Sequence, residues 1–510
     1  MSKIDFSKFN YGNASDHIKE LEDIVGKENV LTNMHDRAMR AASCAPFPMQ
    51  RWGEHVPDVV VLPGSTEEVS AVMKLADTYR LPVVPRGAGA GLADGAHPLA
   101  KGIVLDMKRM SEILEVDDVN RTATVQPGVN MQELNKVLEK VGMFFTDDPA
   151  SYGTSVIGGR IGTNGWSVGG AGGGHIANLV CSMEVVLPDG EVIQVGKGGA
   201  KKCRNSSSGY RLLELFFGHQ GTLGVVTEIV LDCAPKPACE FPSFFGFNSY
   251  EEAYECLFQF GISGIKCAVN YIMYDDEKID FLRRDDEAWI PLPPNIKCAV
   301  MATLAGTVGE VTAAKNQILS IAKRMGGAYL GEEQAWGDWA TRHDRYHVAE
   351  HCRNKEGQVV LMSWHCEDNC MIHSNLPKFT HGLHDIVKKY VDKYDGIFND
   401  AGCFIYGGGP YRTWGDYLAE VDVFLNETAM TPELWEAWLD MKREIADFTL
   451  DCEGSVSICH GGCREGDVDV VTDRELAGGS FMLMKKIKKM LDPNNIMNPG
   501  KYNLQRAYED

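Results

Sequence analysis

Three glycines in alternation, Gly87, Gly89 and Gly91, stand in the stretch Pro85 to Pro98, PRGAGAGLADGAHP, entered from the apolar run LPVV and led by Arg86. Glycine at alternate positions removes the side chains that keep neighbouring backbone N–H groups apart, so those groups can turn inward together as a nest for a diphosphate. Three close glycines also make an ordinary tight turn. A second glycine-dense stretch, Ser155 to His175, SVIGGRIGTNGWSVGGAGGGH, is too polar and glycine-rich for a core helix and is expected to be another loop. Two such loops imply a large, anionic cofactor.

Among side chains that can move a proton, His460 in SVSICHGG is the leading candidate, because an imidazole can take a hydroxyl proton as hydride leaves. Its rival use is a histidine at a helix end bonded to backbone. Glu367 and Asp368 are the reserve bases. His365, Cys366, Cys370 and His373 in WHCEDNCMIH, and Cys459, His460 and Cys463 further on, carry metal-ligand residue types without CxxC spacing, so a structural use is expected and no metal site is assigned.

The elements that must position these groups can be read from periodicity. A strand at PDVVVLP, a helix opened by the capping box Ser65 and Glu68 with Val69, Val72, Met73 and Ala76 on one face, and a strand at LPVV form a unit that delivers the first loop at a strand end. Ligands collect there in α/β folds. GIVLDM and RTATVQPGV read as strands, NMQELNKVLEKVG as a helix, CSMEVVLPDGEVIQV as two strands about Pro188-Asp189-Gly190, and the region closes with a helix, a glycine turn and a strand by Pro237. From residue 238 to 445 the composition shifts to aromatics and scattered charge, with helices such as VTAAKNQILSIAKRMGG beside strands such as KCAVMATLAG.

With 510 residues, 44% hydrophobic and 24% charged, the chain is long enough for two or more domains of ordinary globular type. Its 50 basic and 71 acidic residues give a net charge of −21, which argues against sequence-independent binding to nucleic acid or anionic membrane. MSKIDFSKFN has no apolar leader core and no run suits a membrane span, so a cytoplasmic protein is expected. Fifteen scattered cysteines suggest neither a disulfide framework nor an iron–sulfur signature.

PRGAGAGLADGAHP, TVQPGV, DDPAS, SVIGGRIGTNG, MEVVLPDGEV, SSSGY, GHQGTLGVVTE and LDPNNIMNPGK, in that order, resemble the flavoprotein family of vanillyl-alcohol oxidase and p-cresol methylhydroxylase, with flavin-domain motifs of the glycolate-oxidase-like D-lactate dehydrogenases. The resemblance implies an α+β fold: a two-part FAD-binding α/β domain of PCMH type, over residues 1–237 (core 57–237) and 446–510, with an inserted α+β substrate or cap domain over 238–445. It implies FAD, held by Pro85, Arg86, Gly87, Ala88, Gly89, Ala90, Gly91, Leu92, Pro127, Gly128, Pro149, Ser155, Gly158, Gly159, Gly162, Thr163, Asn164, Gly221, Gly224, Val225, Val226, Asn498 and Lys501. The first loop lacks the histidine that carries covalent flavin in some relatives. His175 is the histidine of the second stretch, and non-covalent FAD is expected.

Substrate class turns on fewer residues. D-lactate-type relatives bind a divalent metal through a His-x-Gly-Asp-Gly-Asn-x-His segment and a later Glu-His-Gly segment; here the corresponding FIYGGGPYR lacks the histidines, and Cys459 stands in place of the glutamate. The metal site is therefore expected to be absent. Tyr411 and Arg412, with Thr413, resemble the segment that binds phenolate in the vanillyl-alcohol oxidase branch, where a hydrogen bond and a fixed positive charge ease hydride loss from the para benzylic carbon. Trp339 and Arg342 resemble the Trp-x-x-Arg of the D-lactate branch, whose arginine pairs with substrate carboxylate. The expected protein is an FAD-dependent dehydrogenase or oxidase of a small organic substrate, first a 4-alkylphenol or hydroxybenzyl alcohol. The alternatives are a metal-free D-2-hydroxy acid dehydrogenase and a flavin-bearing electron-transfer subunit. A separate electron-acceptor protein is expected, and a homo-oligomer is compatible with the sequence.

Overall fold

The computed structural model describes residues 4–44, 48–167, 169–196, 207–284, 291–343, 362–398, 403–407, 416–457, 459–462 and 465–509. The runs PDVVVLP and LPVV form the strands Val59–Val61 and Val83–Arg86, both parallel to Ile103–Asp106 between them, with the helix Thr66–Tyr79 as crossover. Val30–Leu31 adds an antiparallel edge. Ser65 Oγ caps the helix by accepting from Glu68 N at 3.2 Å, but the Glu68 carboxylate takes the Gly64 N–H, so the expected box closes one residue early.

A second, antiparallel sheet runs Ile113–Asp117, Thr122–Val125, Val225–Asp232, Val180–Val186, Val192–Val195 in spatial order. Met131–Leu138 packs Met131, Leu134 and Leu138 into the same core as Val180, Met183 and Ile229. The expected helix after SSSGY is a short 3-10 turn, Leu212–Phe216, before the strand from Val225.

The second glycine stretch departs from the expected loop. Residues Ile157–Thr163 form an α-helix, because Ile157 and Ile161, four apart, both reach the core of the second sheet. Arg160 is tied by Nε and Nη2 to Asp147 at 2.8 and 2.9 Å. The glycines that argue against a helix by propensity leave its other face bare. Tertiary packing outweighs the propensity.

The third sheet is antiparallel, with eight strands among the described residues. Its main order is Ala328–Tyr329, Cys239–Phe247, Cys298–Gly306, Ala268–Tyr274, Cys403–Gly407, Asp416–Asn426, Met362–Ile372, and Ile397–Phe398 pairs with Asp416–Asn426. The period of two splits each strand between two cores. Phe245, Phe247, Tyr271, Met273, Ala419, Val421 and Val423 face the helices Tyr250–Gly261, Val308–Arg324, Leu376–Lys393 and Pro432–Asp451. Phe244, Ile272, Tyr274, Met301 and Leu418 turn the other way and meet Trp166 and Cys459.

After Pro432–Asp451 the chain returns to the first sheet. Ile496 and Met497 join its core, Val83 N donates to Ile496 O at 2.8 Å, and Asn498 N donates to Val83 O at 2.8 Å. The end of the chain thus braces the strand that launches the first glycine loop.

Candidate active site

A cavity of about 710 Å³, within the size range of cofactor pockets, opens where the three sheets converge. Pro85 to Leu92, Pro127, Pro149, Ser155, Gly158, Gly159, Gly162, Thr163, Gly221, Gly224, Val225 and Val226 line one part of it. Trp166, His343, Leu418, Glu420, Cys459 and His460 line it as well. The two glycine stretches therefore share one space. Gly128, Asn164, Asn498, Lys501 and Arg342 do not line it, and Tyr411 and Arg412 lie outside the described residues.

The first loop is shaped from beneath by Arg86, which is buried and donates Nη1 to Ala42 O at 2.8 Å. Gly89 has φ +74°, and a Cβ there would collide with the Arg86 guanidinium. At Gly87 a Cβ would stand 2.7 Å from Val156 Cγ2, and at Gly158 one would stand 2.6 Å from Pro127 Cβ. These glycines let the two stretches and their supports approach one another. At Gly91 and Gly162 an added Cβ meets nothing within 4 Å, so each borders open space in the cavity. Asn498 and Lys501 act one layer back: Asn498 Nδ2 donates to Gly95 O at 2.7 Å and Gln220 O at 2.6 Å, and Lys501 Nζ donates to Asp94 O.

Gln220 joins four segments. Its N donates to Gly162 O at 2.9 Å, its Nε2 donates to His460 O at 3.1 Å, its O accepts from Asn498, and its side chain fills the place of a Cβ at Gly95 and Gly461. GHQG shows this junction only as a glycine turn, since nothing local to it reveals partners 240 residues away. Ser167 Oγ and His219 Nδ1, on two residues lining the cavity, find no hydrogen-bond partner among the described residues. Burial, reinforced by the Lys488 charge, pushes the His219 imidazole down to about 4 and keeps it neutral. A bare glycine cradle with orphaned polar atoms beside it fits a large polar cofactor such as FAD.

The opposite wall comes from strand alternation. In Asp416–Asn426 the odd-numbered residues enter the helix-covered core, so Leu418 and Glu420 face the cavity. Asp368 is directly across from Glu420 in register and shares its face. Fully buried, Asp368 accepts through Oδ2 from Ser457 Oγ at 2.8 Å, Cys459 N at 2.7 Å and His460 N at 2.9 Å. The same oxygen lies 3.5 Å from His460 Nδ1. Burial, with Asp368 and Glu420 adding to it, raises the Cys459 thiol well above its ordinary range, and its Sγ faces Trp166 O at 3.8 Å. Cys459 is a buried thiol here. Glu420 was legible in principle only as one of three acids, with Asp416 and Asp422, opposite the apolar row in DYLAEVDVFL.

Arg342 donates Nε to Asp148 Oδ2 at 2.8 Å and Nη1 to Trp339 O at 3.0 Å, with its guanidinium carbon 4.0 Å from the centre of the Trp339 ring. His343 Nε2 is 2.6 Å from the other Asp148 oxygen, and its ring stacks on Tyr152 at 4.8 Å. His175 Nδ1 meets Asn164 O at 2.8 Å, and its ring stands edge-on to Trp166. Of the histidine and cysteine clusters, the side chains of His365, Cys366 and Cys463 lie outside the described residues, while His373 stacks between Tyr254 and Phe258. Among the described residues no group of three His, Cys, Asp or Glu side chains suits a metal ion. No described helix is long and apolar enough to cross a membrane.

Two family models match the chain: "FAD binding domain" over residues 57–196 and "FAD linked oxidases, C-terminal domain" over residues 242–502. The second spans more than half of the molecule. The chain belongs to the FAD-linked oxidase family. It is 29% identical over 453 residues to the glycolate oxidase subunit GlcD of Bacillus subtilis, covering 88% of this chain and 89% of that one. It is 30% identical over 461 residues to the mitochondrial D-lactate dehydrogenase [cytochrome] of Arabidopsis thaliana, covering 88% of this chain and 73% of that one. In structure it is similar to 4-ethylphenol oxidase from Gulosibacter chungangensis, with a TM-score of 0.78 at 18% identity over 99% and 98% of the two chains. This FAD-linked oxidase is thus an FAD-dependent oxidoreductase with the PCMH-type fold.

Proposed function

We propose that this FAD-linked oxidase oxidises a small hydroxylated substrate that enters uncharged, a 4-alkylphenol or a hydroxybenzyl alcohol, and passes the electrons to a separate acceptor. The observation that carries this reading is the charge of the cap wall. Glu420 and buried Asp368 stand together there, and the described arginines at or beside the cavity are already held: Arg86 by Ala42 O, Arg160 by Asp147, Arg342 by Asp148. A substrate carboxylate brought to this wall meets the Glu420 side chain, and these three arginines are turned to other partners. A neutral phenol or alcohol meets Leu418 and Trp166 with its apolar part and can donate its hydroxyl.

The lining glycines, with Ser155 and Thr163, would hold FAD, and bound FAD supplies the acceptor for the hydride. His460 is the base for the substrate hydroxyl. It lines the cavity, and on this reading its Nε2 takes that proton while Nδ1 lies 3.5 Å from Asp368. Tyr411 and Arg412 are proposed to stabilise the phenolate; they belong to the connection between the strands Cys403–Gly407 and Asp416–Asn426, the second of which carries Leu418 and Glu420.

A metal-free D-2-hydroxy acid reading is favoured by the two sequence relatives named above; on it the substrate carboxylate would need a cation such as Arg412, which the phenolic reading gives to the phenolate. The variants Tyr411→Phe, Arg412→Ala and Glu420→Gln separate the two. On the phenolic reading the first two slow flavin reduction by phenols at least about tenfold, and Glu420→Gln leaves hydroxy acids inert. Unchanged rates with phenols in the first two, or a hydroxy acid that reduces the wild type and does so faster in Glu420→Gln, would overturn it.

A further inference from the structure

His460 is carried on a loop gripped from two sides. From the flavin side, Gln220 Nε2 holds its carbonyl, and Gly461 follows in a left-handed conformation, φ +91°, where a Cβ would strike the same Gln220 side chain. From the cap side, one carboxyl oxygen of Asp368 gathers Ser457 Oγ, Cys459 N and His460 N, and lies 3.5 Å from His460 Nδ1. Asp368 is fully buried on the central part of the strand Met362–Ile372, paired across to Glu420, so its side chain has one direction available. The oxygen that takes the His460 N–H also lies beside the ring, so one carboxyl faces both the loop and Nδ1.

We propose that Asp368 is the positioning residue of His460: it fixes the loop through the two main-chain N–H groups and selects the ring tautomer with the proton on Nδ1, leaving Nε2 unprotonated. The carboxylate attracts the Nδ1–H dipole and disfavours the tautomer that would set a lone pair against it. The cap sheet thereby determines the chemical state of a group carried by the segment that returns to the flavin-binding part. This inference rests on the reading of His460 as the base, and it does not depend on which substrate is used.

The test is ¹⁵N NMR of the FAD-loaded protein labelled at the histidine rings, without substrate, with the His460 signals identified by their loss in His460→Gln. The wild type is expected to show a protonated Nδ1 and an unprotonated Nε2 in the neutral ring. Asp368→Asn keeps an oxygen for the loop N–H groups but not the charge, and is expected to shift the ring toward the other tautomer. It is also expected to lower the limiting rate of flavin reduction about tenfold or more, with half-saturation by substrate changed less than about twofold. A wild-type ring protonated on Nε2, or an identical tautomer in Asp368→Asn, would overturn the proposal. The wild-type spectrum alone decides if the variant does not fold, and a failed substrate assignment leaves the spectrum readable.

Discussion

The imidazole of His384 sits between two carboxylates, with Nε2 2.7 Å from Asp275 and Nδ1 3.1 Å from Glu277. Burial alone pulls such a ring down, but the hydrogen bonds and charges of Asp275 and Glu277 outweigh it and push His384 up to about 10. A group whose folded value is raised stabilises the fold fully below its unfolded value near 6.5, and that contribution fades as pH rises from there to about 10. Replacing His384 with Gln is therefore expected to cost on the order of 2 kcal/mol at pH 6 and progressively less toward pH 10, measured by urea unfolding across that range. A pH-independent difference would contradict the charged pair. Such a group is invisible in sequence, because its partners lie 109 and 107 positions away and nothing local marks them. His460 was legible as a candidate from its residue type and neighbours, whereas its grip by Asp368 and Gln220 is a tertiary fact.

At the scale of elements, the first glycine loop depends on an arginine folded beneath it. Gly89→Ala combines a left-handed φ of +74° with a collision against Arg86, so it is expected to destabilise the protein by roughly 1–3 kcal/mol and to weaken FAD retention at least about tenfold. The ratio of flavin to protein absorbance after dialysis checks this; full retention would mean that the loop does not shape the cofactor site. The run from the helix Glu332–Ala340 into Arg342 and His343 is a second such joint, closing on Asp148 in the loop before Pro149. Asp148→Asn is expected to cost about 2 kcal/mol of stability, because it leaves two partly buried bases facing a neutral amide, and Arg342→Lys should cost less. Equal, negligible losses in urea unfolding would contradict a load shared through Asp148. Strands and long helices were readable from periodicity here; Ile157–Thr163 was not, since its glycines match a loop and only the buried Ile157 and Ile161 give it a core face.

For the molecule as a whole, the flavin-binding part was legible because its motifs are local and ordered along the chain, and the resemblance they carry agrees with both family matches. The cap wall was not. Its lining comes from alternate residues of the strand Asp416–Asn426 and from one loop that meets it only in three dimensions, with Asp368 on the paired strand, so Glu420 and Asp368 gain their meaning from register. The substrate reading rests on that wall. Its most direct test is anaerobic stopped-flow absorbance of the FAD-loaded protein mixed separately with 4-alkylphenols, vanillyl alcohol, D-lactate and glycolate. Rapid bleaching of the flavin by a phenol or by vanillyl alcohol, with D-lactate and glycolate inert, is the predicted result. Bleaching by a hydroxy acid alone would contradict it and move the substrate carboxylate to a cation at this wall.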